Sequence, residues 1–571
     1  RGRGRHGIMT AGYIFSKVCA RGGLNVFTAM EYPSLIRGGH NIYHVRVEER
    51  ELTSPIVLVD LLVALNKETI DLHKDELTHG GAIVYDEGTK LGEGEVRPDV
   101  LLYPIPLQRY AREIGEAKVM MNSVALGASV ALVDYDFDLL ARVMRETFGG
   151  KKGEEIADAN TKAARAGYDY IREHFKPTFG HRLRRVEALR RMLINGNEAI
   201  AIAAIRAGCK FFTAYPMTPI SSLLQYMAAN GRAYNIVVKQ PEDEISVINT
   251  AAGASFAGVR SMVATSGGGF SLMVEGLGMI GGAEVPLVIL EGQRPGPSTG
   301  MPTWTEQGDL KFVLSASQGE FPRVVIAPGD PAECFYTTMD AFNIADKYQL
   351  PVILVSDKYL AESARTMVPF DEKGIEIERG AIATEDVLAA TKDYRRYRPT
   401  DSGVSLRSLP GQRGGEHVAT GEEHDEYGNL EEDAENRRRQ MDKRMRKLEY
   451  VARELPEPKV YGAGDSDITI VGWGSTKGPI LEAMRYLEAD GIRARFLHLV
   501  YLYPFPSAKV SQVLDSSRAS FMVENNKTAQ MAGVIREYTG RKVQHNILKY
   551  DGRPFYPHEI YDAVRGVLHG H

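Results

Sequence analysis

The sequence predicts an α/β protein of three domains. Short β-branched apolar runs alternate with helical stretches along most of the chain, the pattern of parallel strands covered by helices. Their junctions are rich in Gly and Pro, 57 and 27 in all, which marks tight strand-to-helix turns. At 571 residues the chain exceeds what one hydrophobic core organises.

Composition narrows the class. With 43% hydrophobic and 25% charged residues, it is that of an ordinary globular protein. A net charge of −5 gives no basis for a nucleic-acid partner. No apolar run has membrane-spanning length and no leader-like segment is seen, so no membrane partner is expected. Cys19, Cys209 and Cys334 stand far apart without a CxxC. They predict neither a disulfide framework nor a four-cysteine site within this chain, and they suit a reducing, cytoplasmic setting.

Residues 1–185 read as the first domain. It opens on Gly2-Arg3-Gly4-Arg5-His6-Gly7, a G-x-G-x-x-G ahead of an apolar helix over 8–19. Such a loop can hold phosphate on backbone N–H groups. A plain turn is the competing reading, since no strand precedes it. Strands are expected at 25–28, 42–47, 56–59, 82–85 and 100–104, with helices dominating 118–176. Between strands, Ser34 to His40 is a basic loop whose Arg37 either binds an anion or is solvated.

The second domain spans 186–380. A helix from Gly196 and a buried run over 207–214 lead to Tyr215-Pro216-Met217-Thr218-Pro219-Ile220. Each proline fixes its own φ and keeps the preceding residue extended, so Thr218 sits on a stiff turn at a strand end. The next strand, 236–239, ends at Gln240-Pro241. A helix is expected from Pro241, with Glu242, Asp243 and Glu244 in its first turn and Ile245, Ile248, Ala252 and Phe256 on its core face. A hydroxyl and an acid cluster would thus reach one edge of the sheet, where such sheets bind ligands. Gly267-Gly268-Gly269 forms a turn after a strand at 262–265. The loop 293–303, after a strand at 287–291, holds too many Gly and Pro for helix or strand, and a long loop in a compact domain is usually functional.

Residues 381–460 form a polar linker. His424 stands among acids, but no second histidine lies at ligand spacing, so a solvated or hydrogen-bonded ring is expected and no metal site. Met441, Met445, Leu448, Val451 and Leu455 mark one face of a charge-dense helix, its basic residues facing solvent. Residues 461–571 form a small α/β domain with strands at 468–472, 494–498, 519–524 and 545–549. Gly472 to Thr476 is a strand-to-helix turn, and Tyr501 to Pro506 an apolar loop suited to an interface.

Taken together, the Tyr-Pro-Met-Thr-Pro turn, the acid-start helix, the Thr-Ser-Gly-Gly-Gly turn and the Gln-Arg-Pro-Gly-Pro-Ser-Thr-Gly-Met-Pro-Thr loop resemble, in one order, the α subunit of the 2-oxoacid:ferredoxin oxidoreductases. The first domain resembles the γ subunit of that family, fused in front. The resemblance implies a γ-type domain followed by two domains like those of thiamine diphosphate enzymes, one pyrimidine-binding and one like the transketolase C-terminal domain. The segments 403–415 and 421–429 look most like the 2-oxoglutarate-type branch, which makes succinyl-CoA. Pyruvate, branched-chain 2-oxoacids and indolepyruvate stay open, as do a dinucleotide-binding scaffold and a transketolase-like enzyme.

That family decarboxylates a 2-oxoacid on thiamine diphosphate, passes electrons through iron–sulfur clusters to ferredoxin and releases acyl-CoA. This sequence has no Gly-Asp-Gly motif for Mg²⁺ and diphosphate, and too few cysteines for a [4Fe–4S] cluster. The resemblance therefore puts both on a partner β subunit, in an assembly of two α and two β chains. The cofactor needs a carboxylic acid at its pyrimidine nitrogen N1′, and burial favours an acid that keeps its proton. Glu244 is assigned that role, and Asp243 that of complementing the helix N-terminus. Arg294 is assigned to grip the substrate carboxylate with its planar fork. Thr218 would donate near the keto oxygen or carboxylate. Tyr215, Pro216 and Gly268 would border the cofactor, Ser298 and Thr299 would add donors, and Arg37 would meet substrate or a CoA phosphate.

Overall fold

The structure, a computed structural model, describes residues 3–35, 39–115, 117–149 and 153–570. It separates into two compact units, Arg1–Ile194 with Ser363–Pro369, and Asn195–Glu362 with Phe370–His571. The multi-domain α/β architecture expected from the sequence is present.

In the first unit a helix runs over Arg3–Arg21. Residues 3–7 are therefore helical, not the phosphate-holding loop that the glycine pattern suggested; Gly2 lies outside the described residues. The reason is packing. A Cβ on Gly7 would lie 2.6 Å from Asn122 Nδ2, and one on Gly12 would lie 2.2 Å from the Tyr43 ring. The glycines let the helix approach its neighbours. One sheet is antiparallel, in the order Ile42–Glu48, Asn25–Glu31, Arg365–Met367, Met192–Ile194; the other is parallel, in the order Val59–Ala64, Leu77–Asp86, Leu101–Ile105. The strand expected at 56–59 thus lies later, at Val59–Ala64. Among the helices, Ala117–Leu132 and Glu154–His174 cross closely, because Gly127 leaves room for the Ala164 carbonyl.

The second unit is built on a seven-stranded sheet. Its order is Tyr501–Tyr503, Val324–Ile326, Pro351–Asp357, Leu287–Gln293, Ser261–Thr265, Phe211–Ala214, Val237–Lys239, and all pairs are parallel except the first. The apolar stretch from Tyr501, expected as a loop, is an antiparallel edge strand. A five-stranded sheet holds Lys459–Gly462, Arg495–Leu499, Ile468–Trp473, Ala519–Glu524 and His545–Leu548. One buried apolar core joins Val263, Ile289 and Ile353 to Trp473, Leu497 and Met522.

The charge-dense helix, Ala434–Glu454, departs from its expected packing. Of the five apolar residues that marked its face only Val451 is fully buried; the others are half-buried. Lys443 and Lys447 are buried with it, and both pair with the Glu284 carboxylate. These basic side chains are not solvated. Burial works against the Glu284 charge, yet Lys443, Lys447 and Arg396 hold its carboxyl well below the usual range. Burial in turn lowers Lys443 to about 7. His424 is likewise buried, its Nδ1 3.0 Å from the Glu422 carbonyl oxygen.

Candidate active site

Four neighbouring parallel strands end at one edge of the seven-stranded sheet. Their sequels are the turn 215–220, the segment 240–243, the glycines 267–269 and the loop 294–303. The carboxyl edge of a parallel sheet is where α/β folds bind ligands.

Glu244 is the first residue of the helix Glu244–Phe256. The helix starts three residues later than expected. Pro241 stays outside it, and Asp243 is the N-cap, accepting from Ser246 N at 2.8 Å. This start turns Ile245 outward, 50% exposed, while Val247, Ile248, Ala251 and Ala252 fill the core face. Glu244 itself is buried, and its Oε1 has no hydrogen-bond partner among the described residues. Gly269 makes room for that carboxylate. A Cβ there would lie 2.4 Å from Glu244 Oε1 and 2.0 Å from Thr265 Oγ1.

Arg294 and Thr218 meet directly. Arg294 Nη1 donates to the Thr218 carbonyl oxygen at 2.8 Å. The Thr218 hydroxyl has no partner among the described residues. Arg294 is 8% exposed, and among the described residues it enters no ion pair. Burial lowers its guanidinium pKa, and the fields of Asp309 and Glu244 oppose that shift. A nearly buried guanidinium outside any ion pair has the chemistry to hold an anion.

Gly268 is exposed, and a Cβ there would meet its neighbours only at ordinary contact distance. The nearest atoms to a Cβ there are the Ser298 carbonyl oxygen at 3.8 Å and Met217 Cε at 4.0 Å. The turn 215–220 and the loop 294–303 therefore both flank Gly268. Tyr215, Pro216, Ser298 and Thr299 are exposed. Ser298 has a left-handed φ of 57°, and the loop closes through Met301 N donating to the Pro295 carbonyl oxygen at 2.9 Å. Arg37 lies outside the described residues. The first unit holds a separate cavity of about 1380 Å³, lined by His40, His44, Arg46, Asn122 and Arg182 among apolar side chains.

Sequence reasoning missed two acids. Glu291, in the strand Leu287–Gln293, is fully buried, and among the described residues neither carboxyl oxygen meets an N–H or hydroxyl donor. Its neighbour is Asp309. Burial and the Asp309 charge push the Glu291 carboxyl well above the usual range. Burial also raises Asp309, but its interaction with Glu291 and the field of Arg294 resist this. Asp309 is fixed twice more: its N–H donates to Gln293 Oε1 at 2.9 Å, and its Oδ2 lies 2.2 Å from where a Gly267 Cβ would sit. The available signal was an acid ending the apolar run Val288-Ile289-Leu290.

The fold and this site define a subunit of an oxidoreductase built on a thiamine diphosphate-binding domain. The family model for the thiamine diphosphate-binding domain of pyruvate flavodoxin/ferredoxin oxidoreductase matches residues 202–443. The model for pyruvate ferredoxin/flavodoxin oxidoreductase matches 1–170, and that for core domain II of pyruvate:ferredoxin oxidoreductase matches 466–560. The chain belongs to the 2-oxoacid:ferredoxin oxidoreductase family, as an alpha subunit. It is 33% identical to subunit alpha of 2-oxoacid:ferredoxin oxidoreductase 2 from Aeropyrum pernix, over 98% of this chain and 96% of that one. It is 30% identical to the 2-oxoglutarate oxidoreductase subunit KorA of Mycobacterium tuberculosis, over 99% and 90%. Among solved structures, the 2-oxoglutarate:ferredoxin oxidoreductase of Magnetococcus marinus, with 2-oxoglutarate, coenzyme A and succinyl-CoA bound, superposes with a TM-score of 0.90. The two are 33% identical, over 98% of this chain and 97% of that chain.

Proposed function

We propose that this chain is the α subunit, with its γ domain fused at residues 1–185, of an enzyme that converts 2-oxoglutarate and CoA to succinyl-CoA and CO₂ while reducing ferredoxin. The observation that carries the reading is the pairing of an orphaned acid with an unpaired cation at one sheet edge: Glu244 Oε1 without a partner, and buried Arg294 fastened to Thr218. The first suits the pyrimidine of thiamine diphosphate and the second a 2-oxoacid. The exposed Gly268, flanked by the turn 215–220 and the loop 294–303, supports the fit.

Thiamine diphosphate, when bound, supplies the carbon nucleophile for the keto group. Glu244 would hold a proton at Oε1 toward the pyrimidine nitrogen. Arg294 would hold the substrate carboxylate, and Thr218 would donate its free hydroxyl to the keto oxygen or carboxylate. Tyr215 and Pro216 would close the cofactor side, and Ser298 and Thr299 the substrate side. Arg37 would meet substrate or a CoA phosphate.

The Mg²⁺–diphosphate site and a [4Fe–4S] cluster would reside on a β subunit. Cys19, Cys209 and Cys334 support this, for all three are buried and free, and burial pushes the Cys209 thiol up to about 12. A thiol so disposed resists becoming the thiolate that iron needs. Among the described residues no helix is long and apolar enough to cross a membrane; we propose a cytoplasmic enzyme of two α and two β chains. The preference for 2-oxoglutarate draws on the KorA and Magnetococcus relatives; relatives named only for 2-oxoacids leave pyruvate and branched-chain 2-oxoacids as the second reading. Ferredoxin reduction by the chain together with its β subunit, measured on a panel of 2-oxoacids, tests this. Fastest turnover on 2-oxoglutarate is expected, and equal rates across the panel would remove the preference.

A further inference from the structure

The five-stranded sheet has a carboxyl edge of its own. Its strands Ile468–Trp473, Ala519–Glu524 and His545–Leu548 run parallel. Their ends, where such sheets hold ligands, lead into 474–476, 525–529 and 549–553. We propose that Arg553 and Lys527, at this edge, bind the phosphate groups of a nucleotide, supplied by the far end of CoA or by a free nucleotide. This rests on the reading of the chain as part of an enzyme that uses CoA.

The edge is fastened to the segment that follows the loop 294–303. Gln307 N–H donates to the Asn525 carbonyl oxygen at 2.7 Å. The Gln307 amide accepts from Asn525 N–H at 3.0 Å and donates to the Trp473 carbonyl oxygen at 2.9 Å. Thr305 N–H donates to the Gly552 carbonyl oxygen at 3.0 Å, and Asn525 Nδ2 to that of Lys549 at 2.7 Å. Gly552 has a left-handed φ of 83°. A Cβ there would lie 3.0 Å from Met301 Cε and 3.1 Å from Trp304 Cβ, so glycine lets 549–553 come this close.

Two cations stand on this frame, each over an aromatic ring. The Arg553 guanidinium carbon lies 3.6 Å from the Trp304 ring centroid. Lys527 Nζ lies 4.4 Å from that of Tyr550 and donates to its hydroxyl at 2.9 Å. Among the described residues neither cation enters an ion pair. The acids beside them, Asp551 and Glu559, pair with Lys549, and Asp551 also accepts from the Arg553 backbone N–H at 2.8 Å. Stacking presets the guanidinium plane and leaves its N–H edge for an oxyanion. Lys527 is exposed and Arg553 half-buried, whereas a small 2-oxoacid is enclosed by its pocket. A long ligand with its charge at one end suits such positions. CoA has that form: its thiol reacts, and its diphosphate and 3′-phosphate lie at the other end. A planar fork beside a point charge is the chemistry that grips phosphate.

The test uses the enzyme assembled with its β subunit, with CoA, 2-oxoacid and ferredoxin varied in turn. Lys527→Glu and Arg553→Ala should each raise KM for CoA about tenfold and leave kcat and the KM for the 2-oxoacid unchanged. Arg553→Lys should recover part, because it keeps the charge and loses the planar stack. An unmoved KM for CoA in either Lys527→Glu or Arg553→Ala overturns the proposal. So does a larger shift in the KM for 2-oxoacid, which would make this a carboxylate site, or for ferredoxin, which would make it a docking face. Should Arg553→Ala fail to assemble, Lys527→Glu, at an exposed position, decides alone. Calorimetric titration with ATP, without 2-oxoacid, separates the two sources. ATP binding that CoA competes away and Lys527→Glu weakens shows a site open to free nucleotides; no such binding leaves CoA as the source. Wild-type turnover that does not depend on CoA removes the reading on which this rests. CoA-dependent turnover with an unmoved KM in the variants removes this proposal only.

Discussion

Arg294 Nη1 donates to the carbonyl oxygen of Thr218 across 2.8 Å, which fastens this cation to the turn that follows the strand Phe211–Ala214, two places away in the sheet. The bond occupies one guanidinium nitrogen and leaves the rest of the planar fork for a ligand. It also ties the loop 294–303 to the turn 215–220, so cation and hydroxyl are set together by backbone and not by chance rotamers.

Removal of the cation is the most direct check on substrate binding. Arg294→Ala should raise KM for the 2-oxoacid by the worth of a charge-assisted hydrogen bond, about 1.5–3 kcal/mol, or roughly tenfold to a hundredfold. Arg294→Lys should recover only part, because a point charge cannot form the planar bidentate grip. Steady-state kinetics of the αβ complex measure both, and an unmoved KM rules out the grip.

Glu244 makes a sharper demand. Glu244→Gln keeps shape but cannot carry a proton between states, so exchange of the C2 proton of bound thiamine diphosphate should slow about 10²–10⁴-fold. NMR after a deuterium quench reads this without ferredoxin or CoA. Full exchange rates in the variant would detach Glu244 from the cofactor.

Much of this site was legible from local chemistry. Prolines flank Thr218, an N-cap acid precedes Glu244, and a Gly- and Pro-rich run carries Arg294; each is a constraint that acts within a few residues. What escaped depends on distant partners. The strand Arg365–Met367 returns to pair with Asn25–Glu31 across more than three hundred residues, by a single register contact between Phe27 and Arg365, and three residues leave no periodic signal. Lys443 and Lys447 look in sequence like any solvated lysines, because burial with Glu284 is a property of the pair. Gly7 read as the end of a phosphate loop since glycine at a tight turn and glycine at a helix contact are spelled alike. Glu291 passed as a strand end because its partner, Asp309, lies eighteen positions away in another segment.

Gly269 offers a test that leaves every charged group in place. A methyl added there would sit 2.4 Å from Glu244 Oε1 and 2.0 Å from Thr265 Oγ1, so one must move. Gly269→Ala should cost about 1–3 kcal/mol in stability and suppress C2 proton exchange along with it. Gly282→Ala, in the same helix where a Cβ meets nothing within 4 Å, serves as control. If both variants behave alike, the crowding around Glu244 is not what governs activity.

The buried ion cluster predicts how stability depends on acid. Lys443, Lys447 and Arg396 hold the folded-state Glu284 carboxyl well below its ordinary value, near 4.3 for an unfolded chain. The unfolded state therefore binds this proton at higher pH than the folded state does. By linkage the contribution is complete above about pH 5 and is lost as pH falls through about 4.3 toward the folded value. Glu284→Gln should remove that component, so its melting temperature should fall less steeply than wild type between pH 5 and 3. At neutral pH the same variant should be less stable by about 3–5 kcal/mol, because two lysines then lie buried without their carboxylate. Lys443→Met tests the charge balance from the other side. It leaves Lys447 and Arg396 to neutralise Glu284, so it should cost less than Glu284→Gln. Calorimetry of the three proteins across this range would show the ordering, and parallel pH profiles in wild type and Glu284→Gln would mean that the cluster does not anchor the helix Ala434–Glu454.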